Sequence, residues 1–424
     1  MTWLQRYRLT RTLRWSLWVL PVVAIGAAIG VAPFLRWVDF RTSWTLFNLT
    51  PDGARTILGA LTASTLTFVV FVVSSLLIVV QLASAALTPR VIARVFADRR
   101  LKLVLSAFTF AYTYTIAAAG RIEERVPQLP VAFAIGCCLG CIAIFFWFVQ
   151  WLGGSLRPIA MLQGVAEEGH AVVESVYPQP YEGTGEPAGR PAASEGDGSV
   201  VEHAGRSGVV LAFSQDGLAA LAERANAVIE VLPQVGDFVA RGDPVFRVRH
   251  GVVDPGSLHA SIAIGPERTL EQDPRFAFRI LVDIAIKALS PAINDPTTAV
   301  LALDQIHNLL LDVGKRRLEP GRARDAQGHL RLYFETPSWN DYVSLAVTEI
   351  RQYGGSSVQV VRRLRAMIEH LLLVLPEGRK PALERELSLL QHAIERSFPD
   401  EQDQAQAHVG DFQGIGSSKQ DVKT

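Results

Sequence analysis

The chain changes character along its length, from long apolar runs in its first third to short alternating and amphipathic segments in the rest. Four runs are long enough to cross a bilayer, which takes about 20 apolar residues each. They cover residues 15–35, 57–85, 101–119 and 131–152. None carries Asp, Glu, Lys or Arg in its central part, so the pattern predicts a membrane domain of four transmembrane helices over residues 1–152.

Positive charge is distributed unequally between the segments that flank these runs. The N-terminal tail and the loop after the second run carry Arg6, Arg8, Arg11, Arg14, Arg90, Arg94, Arg99, Arg100 and Lys102, whereas the other two loops carry Arg36, Arg41, Arg55, Arg121 and Arg125. Segments rich in Arg and Lys stay in the cytoplasm. Both termini of this multi-pass chain are therefore expected to be cytoplasmic.

Polar side chains follow one face of the second and third apolar runs. They are Ser64, Thr67, Ser74 and Gln81 in the second run, and Ser106, Thr109 and Thr113 in the third. Hydroxyl groups in hydrocarbon bond to their own helix or to a neighbouring one, so contact between helices is the ordinary interpretation. The alternative is that the two stripes line a water-filled path.

Two pairs of glycines at a spacing of four also allow helices to approach closely. Gly26 and Gly30 lie in the first run, and Gly136 and Gly140 lie in the fourth. We expect these pairs to pack helices within the chain, with contact between subunits of a homo-oligomer as the alternative.

The remaining sequence predicts an α+β domain on the cytoplasmic side. Residues 153–199 are expected to form a connecting helix and a flexible linker, since 181–199 are rich in Gly, Pro and Ser. Short alternating runs separated by Gly-Asp turns predict a β-rich subdomain over 200–260, of small sandwich or barrel type. Amphipathic repeats predict a mostly helical subdomain over 261–399, and the polar segment 400–424 is expected to be a disordered tail.

One polar turn in the helical part is the best candidate for a ligand site. Asp273-Pro274 and Asp295-Pro296 each place a capping residue before a proline at the first helical position. Short oxygen-bearing side chains of the kind that hold a cation or a polar ligand gather around the second cap. The candidates are Ser290, Asn294, Asp295, Thr297, Thr298, Asp283 and Lys287. The alternative is capping by Asp295 with an Asp283–Lys287 ion pair.

Composition excludes several other classes of function. The chain has 41 basic and 41 acidic residues, so no basic excess indicates nucleic-acid binding. The three cysteines lie together in one apolar run, without His or Cys partners at the spacing of a metal site. His307 follows Asp304 by three residues on one helix, which is expected to be only a helix-surface contact. No nucleophile–base pair or phosphate loop is visible, so neither an enzyme nor a bound cofactor or metal is expected.

The turn Ala-Leu-Ser-Pro-Ala-Ile-Asn-Asp-Pro-Thr-Thr-Ala, residues 288–299, has Asp283-Ile284-Ala285 before it. Together with Gln81-Leu82-Ala83-Ser84 leading to Pro89-Arg90, this stretch resembles the family of predicted bacterial membrane proteins called domain of unknown function 2254. The resemblance extends from the first apolar run to about residue 398. It implies several N-terminal spans and a cytoplasmic domain at a bacterial inner (plasma) membrane, but it implies no activity.

These observations lead to two expectations about function. The first is an oligomeric channel- or transport-like protein, in which the second and third spans line a path and the cytoplasmic domain assembles or gates it. The second is a membrane-anchored sensor or scaffold that binds a ligand or a protein through its cytoplasmic domain.

Overall fold

The computed structural model describes residues 2–42, 49–86, 96, 98–123, 126–155, 157–183 and 198–415. The chain divides into two compact units. The four-helix unit is Thr10–Ala160, and the mixed unit is Met1–Leu9 together with Met161–Thr424. The membrane part predicted for 1–152 is therefore one unit, except that its first nine residues belong to the other.

The four-helix unit contains the four apolar helices expected from the sequence. After a first helix, α1 (Trp3–Trp15), these are α2 (Val19–Thr42), α3 (Pro51–Ala86), α4 (Arg99–Ala119) and α5 (Gln128–Ser155). Each is long and apolar enough to cross a membrane. The first apolar helix starts four residues later than predicted, because the arginine-rich segment before it forms the separate helix α1. It also extends seven residues beyond its predicted end.

Helix α4 lies at the centre of this unit and packs against the other three. Its Phe108 and Tyr114 are fully buried. At one end of the bundle, Asp39 on α2 accepts a hydrogen bond from the backbone N–H of Leu129 at 2.8 Å, which satisfies an orphan donor at the start of α5. Arg55 on α3 donates to the carbonyl of Ile122 at 2.8 Å beside it. The end of α2 therefore lies near the start of α5, and α3 contacts the segment after α4 at the same end of the unit.

The mixed unit contains two sheets. Its strands are β1 (Ser199–Glu202), β2 (Gly208–Phe213), β3 (Val228–Val231), β4 (Phe238–Val239), β5 (Pro244–Arg249), β6 (Ile262–Gly265), β7 (Gly321–Arg324) and β8 (Leu330–Phe334). One sheet has the strand order β1-β5-β3-β8-β7, and the other has the order β4-β2-β6. Buried Val, Ile and Phe side chains of both sheets share one core with helix α7 (Gln215–Arg224).

The predicted boundary between a β-rich part, 200–260, and a helical part, 261–399, is wrong. Strand β8 pairs in parallel with β3, with Glu230 opposite Tyr333, and β6 pairs with β2, with Val210 opposite Ile264. Both partners come from beyond residue 260. Pairing between strands a hundred residues apart leaves no periodicity in the sequence, because each strand shows only its own alternation. The domain is α+β, as predicted, but its sheets are built from both parts.

Helices make up the rest of the mixed unit. They are α6 (Pro158–Val176), α8 (Pro255–His259), α9 (Pro274–Ala288), α10 (Pro296–Gly314), α11 (Trp339–Gly354), α12 (Val358–Val374), α13 (Lys380–Ser397) and α14 (Glu401–Ala407), with a 3₁₀ turn at Glu377–Arg379. Helix α9 is the most buried of these, because its apolar residues recur on more than one face. It packs against both α10 and α11.

The expectation of a disordered tail from residue 400 is wrong for the part that the structure describes, which extends to residue 415. Asp400 caps α14 by accepting from the backbone N–H of Gln402 at 2.9 Å, and Ala407 is fully buried. Beyond the helix, the carbonyl of Arg362 on α12 accepts from the N–H of Asp411. A polar segment is thus ordered by a few buried contacts that composition does not reveal. Residues 184–197 of the predicted linker lie outside the described residues.

Candidate functional site

The polar turn predicted as a ligand site is occupied by its own hydrogen bonds. Asp295 caps α10, accepting from the backbone N–H of Thr298 at 3.0 Å and from its hydroxyl at 2.5 Å. The Ser290 hydroxyl donates to the carbonyl of Lys287 at 2.7 Å. Asn294 has a φ of 48°, a left-handed conformation that Asn tolerates, and it is exposed together with Thr297. The capping interpretation of Asp295 is confirmed.

Asp283 contacts an arginine that the sequence did not suggest. The Nε atom of Arg279 donates to Asp283 at 2.6 Å. Its two terminal nitrogens donate to the carboxylate of Glu349 on α11 at 2.6 and 2.9 Å. This paired hydrogen bonding to Arg279 lowers the pKa of Glu349. Asp283 therefore belongs to an ion cluster that joins α9 to α11, rather than standing open to a ligand.

The polar stripes of α3 and α4 do not face each other as the lining of a pore within one chain would. Ser64 and Thr67 donate back to the carbonyls of Ala60 and Ala63 on α3, at 2.9 and 3.0 Å. The whole α3 stripe, Ser64, Thr67, Ser74 and Gln81, is exposed on the outer surface of the four-helix unit, while Ser106, Thr109 and Thr113 of α4 are half-buried. The inward face of α3 carries Val72, Leu76 and Val79. In a single chain the two stripes are therefore not both turned inward.

The glycine pairs also lie at the outer surface. Among the described residues, no atom of a neighbouring helix lies within 4 Å of where a Cβ would stand at Gly26, Gly30, Gly136 or Gly140. Our expectation that they pack helices within the chain is therefore wrong. Close packing inside the unit is achieved instead by alanines of α2, α4 and α5, such as Ala28, Ala118 and Ala134.

A cleft in the mixed unit is lined by more charged, polar and aromatic side chains than any of these predicted positions. We call it the acidic cleft; its volume is about 430 Å³. It is lined by Trp3, Ser175, Val176, Tyr177, Phe213, Ser214, Gln215, Asp216, Gln234, Val235, Glu271, Gln272, Asp273, Pro274, Phe334, Glu335, Thr336 and Pro337. This volume lies within the range of small-molecule sites, which is about 300–1,000 Å³.

Local sequence signals bring these segments together. Strand β2 ends at Phe213, where Ser214 caps α7 by accepting from Gly217 N–H at 3.2 Å. Strand β8 ends at Phe334 and is followed by Pro337, which cannot donate to a strand ladder. The rings of Phe213 and Phe334 meet edge to face at 4.9 Å. The cleft therefore opens where a strand of each sheet ends.

Gln272 holds the next wall in place. Its side-chain oxygen accepts from the backbone N–H of Phe213 at 3.0 Å, and its side-chain nitrogen donates to the Phe213 carbonyl at 3.3 Å. The amide thus acts as a strand partner at the end of β2. These two hydrogen bonds fix residues 271–274, the segment that leads into α9.

Asp273 is the most unusual residue of the cleft, with only 2% of its surface exposed. The sequence predicts it as the cap of α9, but its side chain makes no capping hydrogen bond, and that prediction is wrong. Its carboxylate lies between the guanidinium groups of Arg268, at 4.0 Å, and Arg275, at 3.9 Å. Arg268 donates to the carbonyl of Gly236 at 2.8 Å and Arg275 donates to that of Val235 at 3.1 Å, while the buried Nε of Arg275 has no hydrogen-bond partner.

The carboxylate of Asp273 is therefore balanced by charge but poorly solvated. Its Oδ2 atom is buried and accepts no hydrogen bond, and the same is true of Oε2 in the neighbouring Glu271. Burial raises the pKa of Asp273 to about 6, while Arg275 and Arg268 oppose the rise. Buried polar atoms normally have a partner, so unsatisfied carboxylate oxygens on two residues that line the same cleft favour a place where a partner binds.

Tyr177 lines the cleft and contacts Tyr342, which is not among the lining residues. The hydroxyl groups of Tyr177 and Tyr342 lie 3.1 Å apart and are both buried. Burial raises the pKa of Tyr177 to about 12, and it raises the pKa of Tyr342 as well. Both phenols stay neutral at physiological pH, so Tyr177 offers aromatic surface to the cleft without adding charge.

Sequence reasoning missed this site almost completely. The run Glu271-Gln272-Asp273-Pro274 was visible only as a helix start, although three consecutive polar side chains before a buried helix are a usable signal. Gly236, which lies against the carboxylate of Asp273, becomes its neighbour only through the fold.

A second polar cluster also differs from its prediction. His307 is not on the surface but is 8% exposed, with Nε2 2.8 Å from Nδ1 of His370 and Nδ1 3.1 Å from a nitrogen of Arg363. Arg363 in turn donates to Asp304 at 2.7 Å. Since arginine can only donate, Nδ1 of His307 accepts, and its proton is on Nε2, facing His370.

Comparison with known proteins places the chain in a family. The sequence profile of the family described as "Predicted membrane protein (DUF2254)" matches residues 14–370. The chain belongs to this family. The matched range contains the four apolar helices and every residue that lines the acidic cleft except Trp3. The resemblance read from the 288–299 turn is therefore confirmed.

Similar proteins occur in mycobacteria. "Uncharacterized protein Rv1290c" of Mycobacterium tuberculosis and "Uncharacterized protein Mb1321c" of Mycobacterium bovis are each 26% identical over 434 residues, covering 95% of this chain and 83% of the relative. No solved structure matches the chain significantly. The chain is thus a member of a membrane-protein family, and its role has to be argued from its own residues.

Proposed function

We propose that this protein is a membrane-anchored sensor, whose mixed unit binds a small molecule in the acidic cleft and passes the state of the cleft to the four-helix unit. The mixed unit would lie in the cytoplasm at a bacterial inner membrane, as the charge of the loops favours. This role requires only that the cleft bind a ligand, without a catalytic step.

One observation carries the proposal: the cleft walls include both helices by which the chain passes between the units. Trp3 belongs to α1, which begins in the mixed unit and ends in the four-helix unit, with three residues between it and α2. Ser175 and Val176 belong to the last turn of α6, which is separated from α5 by two residues.

The cleft end of α1 is fixed to the mixed unit by its backbone. Leu4 N–H donates to the carbonyl of Ala260 at 3.2 Å, and the rings of Trp3 and Tyr7 stack at 5.2 Å. A ligand that contacts Trp3 therefore changes the energy of a helix that is continuous to Trp15. Coupling of this kind requires only that the ligand bind two arrangements of α1 or α6 with different affinity.

The test compares full-length protein in lipid nanodiscs with a variant whose cleft is filled. Gln215 is exposed on the cleft wall, so Gln215→Trp would occupy the space of a ligand, and Gln352→Trp on the exposed side of α11 is the matched control. A panel of small amines, carboxylates and neutral polyols is screened by thermal shift. Hydrogen exchange of α1, α2 and α6 is then measured with each compound that binds.

We expect at least one compound to raise the Tm of the wild type and of Gln352→Trp but not of Gln215→Trp, and to slow exchange in α1 and α6. If every compound that raises the Tm of the wild type raised that of Gln215→Trp equally, the ligand would bind outside the acidic cleft. Binding without any change of exchange in α1, α2 and α6 would contradict the sensor role.

A second candidate function, an oligomeric transport-like protein, is favoured by the outer face of α3. Phe71 and Ile78 are exposed on this face. Together with the polar stripe they recur at alternating spacings of three and four residues, which is the spacing of residues at the interface of two packed helices. Open glycine pairs on α2 and α5 offer further contact surfaces. Any path lined by α3 would then run between copies of the chain.

Disulfide cross-linking in membranes tests this second candidate. With Cys137, Cys138 and Cys141 replaced by Ala, Ser74→Cys should form a disulfide-linked dimer, whereas Val73→Cys, exposed on another side of α3, should not. Flux of K⁺ or Cl⁻ through proteoliposomes is measured in parallel. Monomers at both positions and impermeable liposomes would end this candidate.

A further inference from the structure

The lining of the acidic cleft has one sign of charge. It contains four carboxylates, those of Asp216, Glu271, Asp273 and Glu335, and none of its described lining residues is Lys, Arg or His. Asp216 and Glu335 are exposed at the rim, Glu271 is half-buried, and Asp273 is buried at the floor. Carboxylates placed from rim to floor concentrate cations in a cleft and repel anions.

The positive charges near the cleft do not reverse this sign. Helices α7 and α9 both begin at the cleft, and each helix start is worth about half a positive charge. Arg268 and Arg275 lie behind Asp273 and donate to backbone carbonyls, so they do not line the cleft. Four carboxylates against these two arginines and two helix starts leave the cleft net negative, and this argues against a phosphate or carboxylate ligand.

The size and arrangement of the carboxylates argue for an organic cation instead of a metal ion. No group of three or more His, Cys, Asp or Glu side chains among the described residues is arranged to hold a metal. The cleft also has about 430 Å³ of space, far more than one ion requires. Four aromatic rings stand among its walls, from Trp3, Tyr177, Phe213 and Phe334. Aromatic faces attract organic cations, and their edges cover a carbon skeleton.

The unsatisfied oxygens specify which kind of organic cation fits. Oδ2 of Asp273 and Oε2 of Glu271 accept no hydrogen bond from the protein, although Asp273 is almost fully buried. Such atoms call for a donor, and a donor that also carries positive charge gains most. A primary or secondary ammonium group supplies both, whereas a quaternary ammonium group supplies charge without N–H.

We propose that the acidic cleft binds a small molecule with a protonated amine, which Asp273 and Glu271 recognise by charge and hydrogen bonding while the aromatic walls cover its carbon skeleton. This inference rests on the proposed sensor function and narrows it to one class of ligand. The same walls place the ligand against Trp3 at the start of α1.

The test uses full-length protein in nanodiscs with charged probes and their neutral or anionic counterparts. Benzylammonium is compared with benzyl alcohol and benzoate, and 1,4-diaminobutane with 1,4-butanediol, by calorimetry at pH 7.5. The variants are Asp273→Asn and Glu271→Gln, and Glu384→Gln on the exposed side of α13 is the matched control. CaCl₂ is titrated separately to examine a metal ion.

We expect saturable binding of at least one ammonium probe, weakened at least tenfold in Asp273→Asn and in Glu271→Gln and unchanged in Glu384→Gln. The neutral counterpart should bind at least tenfold more weakly, as the loss of a charge-assisted hydrogen bond implies. Lowering the pH below 6 should also weaken binding.

Several results would overturn the inference in distinguishable ways. Equal binding of benzyl alcohol, or unchanged affinity in both carboxylate variants, would reject the amine while leaving a ligand cleft that Gln215→Trp still blocks. Tighter binding of benzoate or of Ca²⁺ would reassign the ligand class. Binding of no ammonium probe would reject the amine as well, and compounds found in the wider screen would then decide whether the cleft has a ligand.

Discussion

Gly236 lies directly against the carboxylate of Asp273: a Cβ added to Gly236 would come within 2.5 Å of Oδ2. Its φ of 93° is in the region that favours glycine, so both the conformation and the space require this residue. The contact joins the turn after β3 to the start of α9.

Gly236→Ala should destabilise the protein more than Gly242→Ala does. Gly242 has almost the same φ, 92°, but nothing lies within 4 Å of its Cβ position, so it isolates the backbone cost, about 1–3 kcal/mol. Gly236→Ala adds the clash with Asp273 to that cost. The Tm of full-length protein in detergent measures both, and equal losses would mean that the contact with Asp273 relaxes freely.

Asp273→Asn should stabilise the protein above pH 6. The folded-state pKa of about 6 lies above the ordinary value of 3.8, so the folded protein binds this proton more tightly than the unfolded chain. The contribution of Asp273 to stability is therefore greatest below pH 3.8 and is lost as the pH rises through 6. The gain from Asn should reach at most about 3 kcal/mol at pH 8 and shrink toward pH 4.

Thermal unfolding of Asp273→Asn and of Asp216→Asn, whose carboxylate is exposed at the rim, gives the comparison. Asp216→Asn should leave the pH profile of the wild type unchanged. The Tm difference between Asp273→Asn and the wild type should be larger at pH 8 than at pH 5. A smaller difference at pH 8 would contradict the prediction.

His307 should make stability fall as the pH is lowered from about 6.5 toward 4. Burial, Arg363 and His370 together lower its pKa from 6.5 to about 4, so the unfolded chain binds the proton first. The loss should be on the order of 1 kcal/mol per pH unit in this range. This slope is opposite to that of Asp273.

Replacing His307 by Gln removes the titrating group and keeps a side chain that can both donate and accept. The wild type should lose Tm between pH 6.5 and 4.5 more steeply than His307→Gln. His392→Gln, at an exposed position on α13, should keep the wild-type slope. Parallel slopes for the wild type and His307→Gln would show that the buried imidazole does not titrate in this range.

Cysteine labelling should place the mixed unit in the cytoplasm. In a cysteine-free background, Asn294→Cys, exposed on the mixed unit, should react with a membrane-impermeant maleimide only after the cells are permeabilised. Glu123→Cys, in the loop between α4 and α5, should react in intact cells. The opposite pattern would invert the orientation predicted from the arginines.

The sequence alone was sufficient for several features that depend on neighbours along the chain. The four apolar helices and the Asp295 cap were readable, because a span or a cap is determined by residues within one or a few turns. The 288–299 turn was sufficient to indicate the family.

Only the tertiary structure decided the site. Asp273 and Asp295 both precede a proline that starts a helix, yet Asp295 caps and Asp273 does not. Arg268 and Arg275 are close to Asp273 in the chain, but only the fold brings Gly236 against its carboxylate and buries it. Local patterns determine which elements form, whereas the burial of a side chain and its contacts with another loop depend on residues far apart in the chain, and no spacing in the sequence encodes them.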